Sequence, residues 1–387
     1  MKKKVLFAIY SLALGGGAER LVFDIVEELQ LRDTVEIFLV YFIDSNVYGY
    51  QNVKEWEQKI NKNVKLIFCD YKLEFNILGK PLKINKKFNE LLEQITPEVI
   101  HSHLPYSELI TRLNILDDIK YFSHLHDNMK LFENKMWYQL RSRLDISNYF
   151  IRKWLMKHYI QCNNQFISIS ADTYAYYSTN LPSKLKNNII RLPNAVNTNR
   201  FSAFRLKSIS TNQKVKLVSV GSLVPKKNHL FLLDVVSILL NKGIDVELSI
   251  LGGGDELNKM ETKIKSLGIE KQVRLLGYTD KVEEELEKAT FYVHSATYEP
   301  FGLAIVEGLA AGLPVICLDG RGNREFIEND RNGFLFYDIN PEKFADKIIE
   351  YINNPNQYQK MSAYAKEVAK RYDIKNYVDR LIEIYNS

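Results

Sequence analysis

The sequence has few cysteines, no long apolar run and little net charge. Its three cysteines, Cys69, Cys162 and Cys317, lie far apart, and apolar runs lead up to two of them, as in KLIFCD and VICLD. That pattern argues against a disulfide framework or a cysteine metal site and is typical of reduced, buried thiols in a cytoplasmic protein. No stretch reaches the roughly 18 to 20 apolar residues of a membrane span. A formal net charge of +5 predicts a local basic patch at most, so we expect no nucleic-acid partner.

The first ten residues, MKKKVLFAIY, place three lysines before a short apolar run, which is also how a signal peptide begins. The run leads directly into a glycine turn and an amphipathic helix pattern, so a first buried strand over residues 4–10 is the favoured interpretation. We therefore expect a cytoplasmic protein, either free or peripheral on the inner face of the cell membrane.

Short apolar runs alternate with helical patterns along the whole chain, which is typical of strand–helix units around parallel sheets. The length suggests two domains, and the polar segment 198–214 lacks a sustained period and is predicted to be a linker. We expect an α/β protein with doubly wound domains over 1–197 and 215–370, a ligand cleft between the carboxyl ends of their strands, and a last helix at 371–387 that packs back on the first domain. The predicted strands are 4–10, 35–42, 64–70, 99–103, 121–127, 165–170 and 189–194, then 215–223, 246–254, 273–278, 290–295, 313–319 and 333–338.

One stretch of the second half, EPFGLAIVEGLAAGLPV, carries two carboxylates, Glu299 and Glu307, in an otherwise apolar helix pattern. An ionised side chain among apolar residues needs a partner. If the helix begins near Gly302, its first amides form a seat for a phosphate group, and Pro300 suits such an entry. Glu307 then lies about 7.5 Å from Gly302 along the helix, within reach of the ribose of a nucleotide whose phosphate binds at the helix start. Glu299 lies on the opposite side of that phosphate, where a sugar attached to the diphosphate would be. The alternative is that Glu307 pairs with a core arginine or caps a neighbouring element.

These residues resemble a known family, the retaining glycosyltransferases of family four, which have the GT-B fold. The two glutamates match its paired-glutamate motif, with seven residues between them. Further blocks resemble the family in order: LGGGAER, VIHSH, SHLHD, ISIS, LPNAVNTNRF, VGSLVPKKN, LGGGDEL, LLGY and GNREFI.

The resemblance implies two Rossmann-like domains that face each other across a cleft. It implies transfer of a sugar from a nucleotide-sugar donor, with a UDP-sugar favoured, to a hydroxyl group of a glycan or a lipid-diphosphate-linked glycan in surface polysaccharide biosynthesis. The donor would bind mainly to the second domain and the acceptor to the first, with retention of anomeric configuration. It implies no bound metal or other cofactor, and the sequence has no Asp-x-Asp, the motif of the metal-dependent alternative fold.

The resemblance also implies roles for individual residues. Glu299 and His126 would orient the sugar, and Lys227 would stabilise the leaving diphosphate, so these three are the predicted catalytic residues. The predicted donor-binding residues are Gly16, Gly17, Ser222, Lys227, Pro300, Phe301, Gly302, Leu303 and Glu307.

One residue departs from the family pattern, because Ser222 stands where the family usually has arginine. A bidentate contact from arginine to an anion is worth roughly 1.5 to 3 kcal/mol, and serine offers only a hydroxyl group. We expect Lys226 or Arg321 to compensate, since both are cations in loops at the same strand ends. The alternative for Lys226 is a solvated surface lysine.

The glycines of LGGGAE do not form a dinucleotide fingerprint, because its spacing would require glycine at Arg20 and no acidic residue ends the second strand. This argues against a dehydrogenase; the alternative for the glycines is a tight turn without a ligand. Four histidines, in HSH (101–103) and HLH (124–126), end two candidate neighbouring strands, and each pair shares one face of its strand. A zinc site is the alternative here, but no cysteine accompanies the histidines and we predict no metal.

Segment 134–161 interleaves basic and aromatic residues, which suits an anionic membrane surface or a lipid-diphosphate acceptor. Core-packing helices with a solvated basic face explain the pattern as well, and residues 73–87 add a second lysine-rich loop. Two other functions stay open: a nucleotide-sugar epimerase on the same fold, and a catalytically silent nucleotide-binding partner in a glycan-assembly complex, which Ser222 makes plausible.

Overall fold

The computed structural model describes residues 2–12, 16–32, 34–43, 52–60, 63–71, 86–210, 213–279 and 281–387. The chain forms two compact units: unit 1 comprises Met1–Asn194 and Tyr377–Ser387, and unit 2 comprises Ala195–Asn376. Segment 198–214 belongs to unit 2 in this division, while the domain bounds drawn from the sequence stay a prediction. Among the described residues, no helix combines the length and the apolar character needed to cross a membrane.

Unit 1 is built on a parallel sheet of seven strands in the order β3-β2-β1-β4-β5-β6-β7. Its strands are β1 (Lys3–Ile9), β2 (Val35–Tyr41), β3 (Val64–Phe68), β4 (Val99–His103), β5 (Lys120–Leu125), β6 (Gln165–Ser168) and β7 (Ile189–Arg191). Its helices are α1 (Gly17–Leu29), α2 (Asn52–Lys59), α3 (Lys86–Ile95), α4 (Pro105–Thr111), α5 (Arg143–Gln161), α6 (Ala171–Asn180) and α7 (Ser183–Lys186).

Unit 2 repeats the plan with six parallel strands in the order β10-β9-β8-β11-β12-β13. Its strands are β8 (Val215–Val220), β9 (Val246–Leu251), β10 (Val273–Gly277), β11 (Phe291–His294), β12 (Val315–Leu318) and β13 (Gly333–Phe336). Its helices are α8 (His229–Asn241), α9 (Leu257–Leu267), α10 (Val282–Lys288), α11 (Leu303–Ala310), α12 (Pro341–Ile352) and α13 (Pro355–Lys370). Helix α14 (Ile374–Asn386) begins at the end of unit 2 and lies mostly in unit 1.

The predicted α/β class and all thirteen predicted strands are confirmed. The observed strands mostly end earlier than predicted, because apolar side chains continue into the loops while the backbone turns. The predicted strand 246–254, for example, ends at Leu251, since Gly252 and Gly254 take φ values of 134° and 156° that do not continue a strand. Most residues of the central strands are buried, as expected for parallel sheets, whereas the edge strands β3 and β10 are only partly buried.

Candidate functional site

Both sheets reverse their strand order at one point, between β1 and β4 in unit 1 and between β8 and β11 in unit 2. Open α/β sheets bind ligands at such points, beyond the carboxyl ends of the strands. In unit 2 the predicted residues follow β8, β11 and β12: Ser222, Lys226, Lys227, Glu299, Pro300, Phe301, Gly302, Leu303, Glu307 and Arg321. In unit 1 the predicted residues follow β1 and β5: Gly16, Gly17 and His126.

The loop after β8 directs Lys227 toward the loop after β11. A single 3₁₀ turn, Pro225–Lys227, carries this lysine, and Asn228 then enters α8 in the left-handed conformation with φ of 52°. The hydroxyl group of Ser295 donates to the carbonyl oxygen of Lys227 at 2.9 Å. With the backbone of the turn held in this way, the Lys227 side chain reaches the Glu299 carboxylate.

Glu299 is a buried carboxylate with two partners. Lys227 Nζ pairs with Glu299 Oε2, and His294 Nε2 lies 3.1 Å from the same oxygen, with its N–H outside ordinary hydrogen-bond alignment. Burial raises the pKa of Glu299, but Lys227 and His294 outweigh burial and hold the pKa at about 2. Burial lowers the pKa of His294 more than the carboxylate raises it, so a neutral imidazole faces Glu299. The carboxylate is therefore ionised between one cation and one neutral ring.

The backbone around Glu299 is held by the glycine-rich loop after β12. Glu299 N donates to the carbonyl oxygen of Gly320 at 2.8 Å, and Gly322 N donates to the carbonyl oxygen of Glu299 at 3.0 Å. A Cβ atom at position 320 would lie 2.6 Å from Glu299 Cβ. Glycine at this position therefore lets the two loops approach closely enough to fix Glu299.

Helix α11 begins four residues after Glu299. Gly302 is its N-cap with φ of 107°, which residues other than glycine rarely adopt. The first backbone bonds of the helix run from Ile305 and Val306 to the carbonyl oxygen of Gly302. In the described part of unit 2, the two amides that follow Gly302 are left as donors without a backbone partner, and such donors at a helix start favour an anion.

The side chain of Phe301 packs in the core next to the start of α11. Its ring is 2% exposed and packs against the rings of Phe326 and Tyr372, with centroid distances of 5.3 and 5.7 Å. The side chain therefore belongs to the core, and only its backbone is available to a ligand. Its predicted part in donor binding stays a prediction.

The isolated carboxylate of α11, Glu307, has an arginine partner. Arg200 Nη1 donates to Glu307 Oε1 at 2.8 Å, and Arg200 Nε donates to Glu283 Oε1 at 2.6 Å. The Arg200 and Glu307 side chains are 19% and 13% exposed, so the pair lies at the edge of the core. Pairing with an arginine is the alternative that the sequence left open for Glu307. In the described residues the contact engages Oε1 only, which leaves Oε2 for a further donor.

The two cations expected to compensate for Ser222 both lie near one aromatic ring. Lys226 Nζ is 5.7 Å and Arg321 Cζ is 6.0 Å from the ring centroid of Tyr298, the residue before Glu299. Ser222 itself is half-buried in the loop after β8. The cations therefore lie beside the carboxylate pair, while their contact with a donor stays a prediction.

In unit 1 the predicted glycines form the start of α1. Gly16 is the N-cap, with φ of −114° and ψ of 152°, and Gly17 is the first helical residue, whereas Gly15 lies outside the described residues. The carboxylate of Glu19 folds over Gly16, into the space that a Cβ atom there would take. Burial raises the pKa of Glu19. The helix start thus already faces a carboxylate, in agreement with the preference of such starts for anions.

His101, His103, His124 and His126 pack ring against ring and form what we call the histidine column. The register of β4 and β5 places His103 opposite His124, and neighbouring ring centroids are 4.3 to 5.2 Å apart. Burial lowers the pKa of all four, and that of His124 to about 3. The column is therefore uncharged at neutral pH.

One chain of hydrogen bonds sets the tautomers of two of these rings. Asn194 Oδ1 can only accept, so His124 donates to it from Nε2 over 3.4 Å. His124 Nδ1 then accepts from His101 Nε2 at 3.2 Å, and His101 Nδ1 accepts from the hydroxyl group of Tyr385 at 2.6 Å. Tyr385 lies on α14, so this helix takes part in the column.

His126 is linked to the column through His103. His126 Nε2 and His103 Nδ1 are 3.0 Å apart, so one of them donates to the other. His103 Nε2 is buried and forms no hydrogen bond within the described part of the chain. His103 therefore both orients His126 and retains one unsatisfied nitrogen.

Among the described residues, three of the column could hold a metal ion, because nitrogen atoms of His101, His103 and His124 lie within 4.8 Å of one another. Imidazole binds a metal through a lone pair in the plane of its ring. His101 Nε2 and His124 Nδ1 already face each other at 3.2 Å across a hydrogen bond, which leaves no space for an ion between them. The observed geometry favours the hydrogen-bonded column.

Segment 134–161 forms a 3₁₀ turn, Trp137–Gln139, and helix α5, which begins at the Ser142 N-cap. Arg152, one of its basic residues, donates to the carbonyl oxygens of Phe132 and Asn180 and so supports the fold. A different set faces outward, namely Met136, Trp137, Tyr138, Arg141, Arg143, Leu144 and Ile146, which we call the aromatic–basic patch. The lysine-rich loop at 73–87 lies almost wholly outside the described residues.

Two residues of the unit 2 site, Arg200 and His294, are not among the residues predicted from the sequence. Arg200 falls in the block LPNAVNTNRF, and His294 comes near the end of the predicted strand TFYVHS. His294 is five residues before Glu299, so a histidine at a strand end beside the motif was the available clue. No local pattern points from Arg200 to Glu307, which is 107 residues away.

Two family models match the chain. The model described as glycosyl transferases group 1 matches residues 202–368, and the model described as glycosyltransferase family 4 matches residues 15–200. Together they cover nearly all of the described sheet strands of both units.

Relatives and solved structures agree with this match. An uncharacterised glycosyltransferase of Haemophilus influenzae is 25% identical over 386 residues, covering 97% of this chain and 98% of the relative. The poly(glycerol-phosphate) alpha-glucosyltransferase of Bacillus subtilis is 29% identical over 169 residues, covering 43% of this chain, and the match spans only 25% of that relative. The crystal structure of Anabaena HepE in complex with UDP and glucose superposes with a TM-score of 0.77 at 18% identity and full coverage of both chains, which shows the fold.

Proposed function

This chain belongs to the glycosyltransferase family whose two models match residues 15–200 and 202–368, and on that premise we propose that it moves a hexosyl group from a nucleotide-sugar donor to a hydroxyl group of a glycan. The proposed donor is a UDP-sugar, in keeping with the UDP bound by HepE. The proposed acceptor is a glycan or lipid-diphosphate-linked glycan of a surface polysaccharide, and the name of the Bacillus subtilis relative supports a polymer acceptor.

The arrangement around α11 carries this proposal. Three groups follow one another along the chain: the carboxylate of Glu299, the free amides after Gly302 and the carboxylate of Glu307. Lys227 contacts the first of them. A sugar, a diphosphate and a ribose follow one another in the same order in a nucleotide-sugar. A carboxylate at each end can accept hydrogen bonds from the hydroxyl groups of the sugar and the ribose, and the amides between them can donate to the phosphates. The site therefore matches that ligand class.

Each of these residues has a part in the proposed reaction. As the bond between the sugar and the diphosphate breaks, negative charge grows on the leaving phosphate, and Lys227 with the helix amides stabilises it. Glu299 and His126 orient the sugar, and Glu307 binds the ribose. We propose retention of anomeric configuration and metal-independent transfer on the strength of the family resemblance; a chelator is expected to leave the transfer rate unchanged.

The test is calorimetric binding of nucleoside diphosphates and their sugar conjugates to the wild-type protein and to Glu307→Gln. We expect one base to bind, and the variant to weaken it at least about tenfold because a hydrogen bond to a charged group is lost. Glu284→Gln is the matched control, since Glu284 is an exposed glutamate on α10 of the same unit. Its affinity should equal that of the wild-type protein.

The same experiment separates the other functions. Isomerised donor without any acceptor would establish an epimerase, and retained nucleotide binding without turnover on any acceptor would establish a silent partner. A folded protein that binds none of the nucleotides would overturn the proposed donor site.

We propose that the aromatic–basic patch contacts an anionic membrane surface. Trp137 and Tyr138 are 73% and 64% exposed, and Arg141 and Arg143 are exposed beside them. Exposed aromatic rings enter the interfacial region of a bilayer, and arginines add attraction to anionic lipids. A patch of this kind would bring the enzyme to a lipid-linked acceptor.

Vesicle sedimentation tests the membrane contact. We expect stronger binding to vesicles with anionic lipid than to neutral ones, and loss of that difference when Trp137 and Tyr138 are both replaced by serine. Tyr174→Ser is the control, because Tyr174 is an exposed tyrosine on α6 of the same unit. Equal binding to both kinds of vesicle would contradict the proposal.

A further inference from the structure

His294 has no part in the proposed function so far, although within the described residues it lies against the Glu299 carboxylate together with Lys227. It ends β11, is 3% exposed, and directs Nε2 toward Glu299 Oε2 at 3.1 Å. Its ring lies nearly parallel to that of Tyr292 beneath it, with 21° between the planes. The core of unit 2 therefore holds the ring in a fixed position.

The two partners of Glu299 differ in charge. Lys227 brings a positive charge on a long, flexible chain, whereas the neutral imidazole of His294 brings a single N–H on a short, rigid one. With Nε2 3.1 Å from a carboxylate oxygen, this contact favours the tautomer of the neutral ring that carries its proton on Nε2. Both contacts engage Oε2, so within the described residues Oε1 is left to receive a hydroxyl group.

A diphosphate ligand acts on these two partners differently. Its negative charge attracts the ammonium group of Lys227 and competes with Glu299 for it. It exerts no comparable pull on a neutral ring. Glu299 would then keep one of its two partners while the donor is bound.

We propose that His294 is a positioning residue that holds Glu299 Oε2 when Lys227 turns to the donor diphosphate, so that Oε1 stays directed at a hydroxyl group of the transferred sugar. This assignment rests on the proposed function of the same site. It predicts that His294 acts on the sugar half of the donor through Glu299 and has little effect on the nucleotide half.

The experiment is a double-mutant cycle on the full-length protein with His294→Leu, Glu299→Gln and the combined variant. If the His294 N–H aligns with Oε2 and donates to it once Lys227 has turned to the diphosphate, His294→Leu should lower kcat/KM for the nucleotide-sugar by about 10- to 100-fold, while the Kd of the nucleoside diphosphate changes less than about threefold. Adding His294→Leu to Glu299→Gln should cause no further loss, because the group it positions is already changed. His294→Gln, which retains a donor, should recover most of the rate.

Other outcomes overturn the assignment. Equal kcat/KM for wild type and His294→Leu would show that Glu299 needs no second partner. A loss of the same size in the Glu299→Gln background, or a matching loss of nucleoside-diphosphate affinity, would show a merely structural role, and thermal unfolding of each variant identifies one that has failed to fold. If the wild-type protein neither binds nucleoside diphosphates nor turns over any donor, the proposed function fails and this assignment fails with it. If the wild-type protein binds and turns over a donor normally and His294→Leu does so equally well, only the assignment is refuted.

Discussion

The two units satisfy the polar side chains at their strand ends in opposite ways. In unit 2, Glu299 and Glu307 are each paired with a cation, Lys227 or Arg200. In unit 1, the histidine column is uncharged and is held by hydrogen bonds to neutral groups, Asn194 and Tyr385. Ion pairs can exchange one partner for a charged ligand, whereas a neutral column offers shape and single hydrogen bonds. The contrast supports the proposal that the charged nucleotide binds to unit 2.

Removal of Lys227 should break the contrast most severely. Lys227→Met leaves Glu299 buried with His294 alone, so we expect a loss of about 3 kcal/mol in the free energy of unfolding and at least about a 100-fold loss of turnover. Chemical denaturation and donor turnover measure the two effects. In Lys227→Met combined with Glu299→Gln the stability should return while turnover does not. A single variant as stable as the wild-type protein would mean that Glu299 is not held by this pair.

Acid should affect the histidine column and Glu299 over different pH ranges. The column histidines have pKa values below the ordinary 6.5, so below that pH the unfolded chain binds more protons than the folded chain. The free energy of unfolding therefore decreases as pH falls from about 6.5 toward 3. Each such histidine contributes at most about 1.4 kcal/mol per pH unit. His124→Gln should therefore flatten the dependence of unfolding free energy on pH in this range.

Glu299→Gln is the matched comparison for that measurement. The folded pKa of Glu299, about 2, lies below the ordinary value of 4.5, so its contribution is present above pH 4.5 and is lost between about 4.5 and 2. The variant should follow the wild-type slope above pH 4.5 and fall less steeply below it. If His124→Gln showed the same change in unfolding free energy as the wild-type protein between pH 6.5 and 4.5, neutral burial of His124 would be contradicted.

Arg200 offers a weaker way to disturb the charged unit. Arg200→Ala leaves Glu307 without its partner, so the carboxylate is less well directed and we expect nucleoside-diphosphate affinity to fall about tenfold by calorimetry. Arg205→Ala is the control, because Arg205 is an exposed arginine of the same segment. Unchanged affinity in Arg200→Ala would show that Glu307 needs no orientation.

The smallest effect is expected from the cations beside Tyr298. Lys226→Ala and Arg321→Ala should each weaken donor binding only about threefold, because both side chains are exposed and solvent screens their charge. Ser222→Arg should offset the loss if these cations replace the arginine of the family pattern. No change in either variant would leave Ser222 uncompensated and would favour the silent-partner function.

The prediction of the fold from sequence succeeded where the signal is local. Each strand is a short apolar run between helical patterns, and the bounds VIHSH were matched at both ends as β4. Errors occurred at carboxyl ends such as that of β9, where glycine turns follow apolar residues without a break in composition. Of the site, the sequence located Glu299, Glu307, Lys227 and the helix start at Gly302, but the roles of these residues stay predictions.

The sequence by itself determined the elements and the position of the carboxylates, because both depend on residues close together in the chain. Only the tertiary structure decided the partners: Arg200 for Glu307, Lys227 for Glu299, and Tyr385 for His101, which are 107, 72 and 284 residues apart. A buried charge or ring must find a complementary group, but many groups could serve. The packing of strands and helices selects the one that comes within hydrogen-bond distance, and no local pattern in the sequence records that choice.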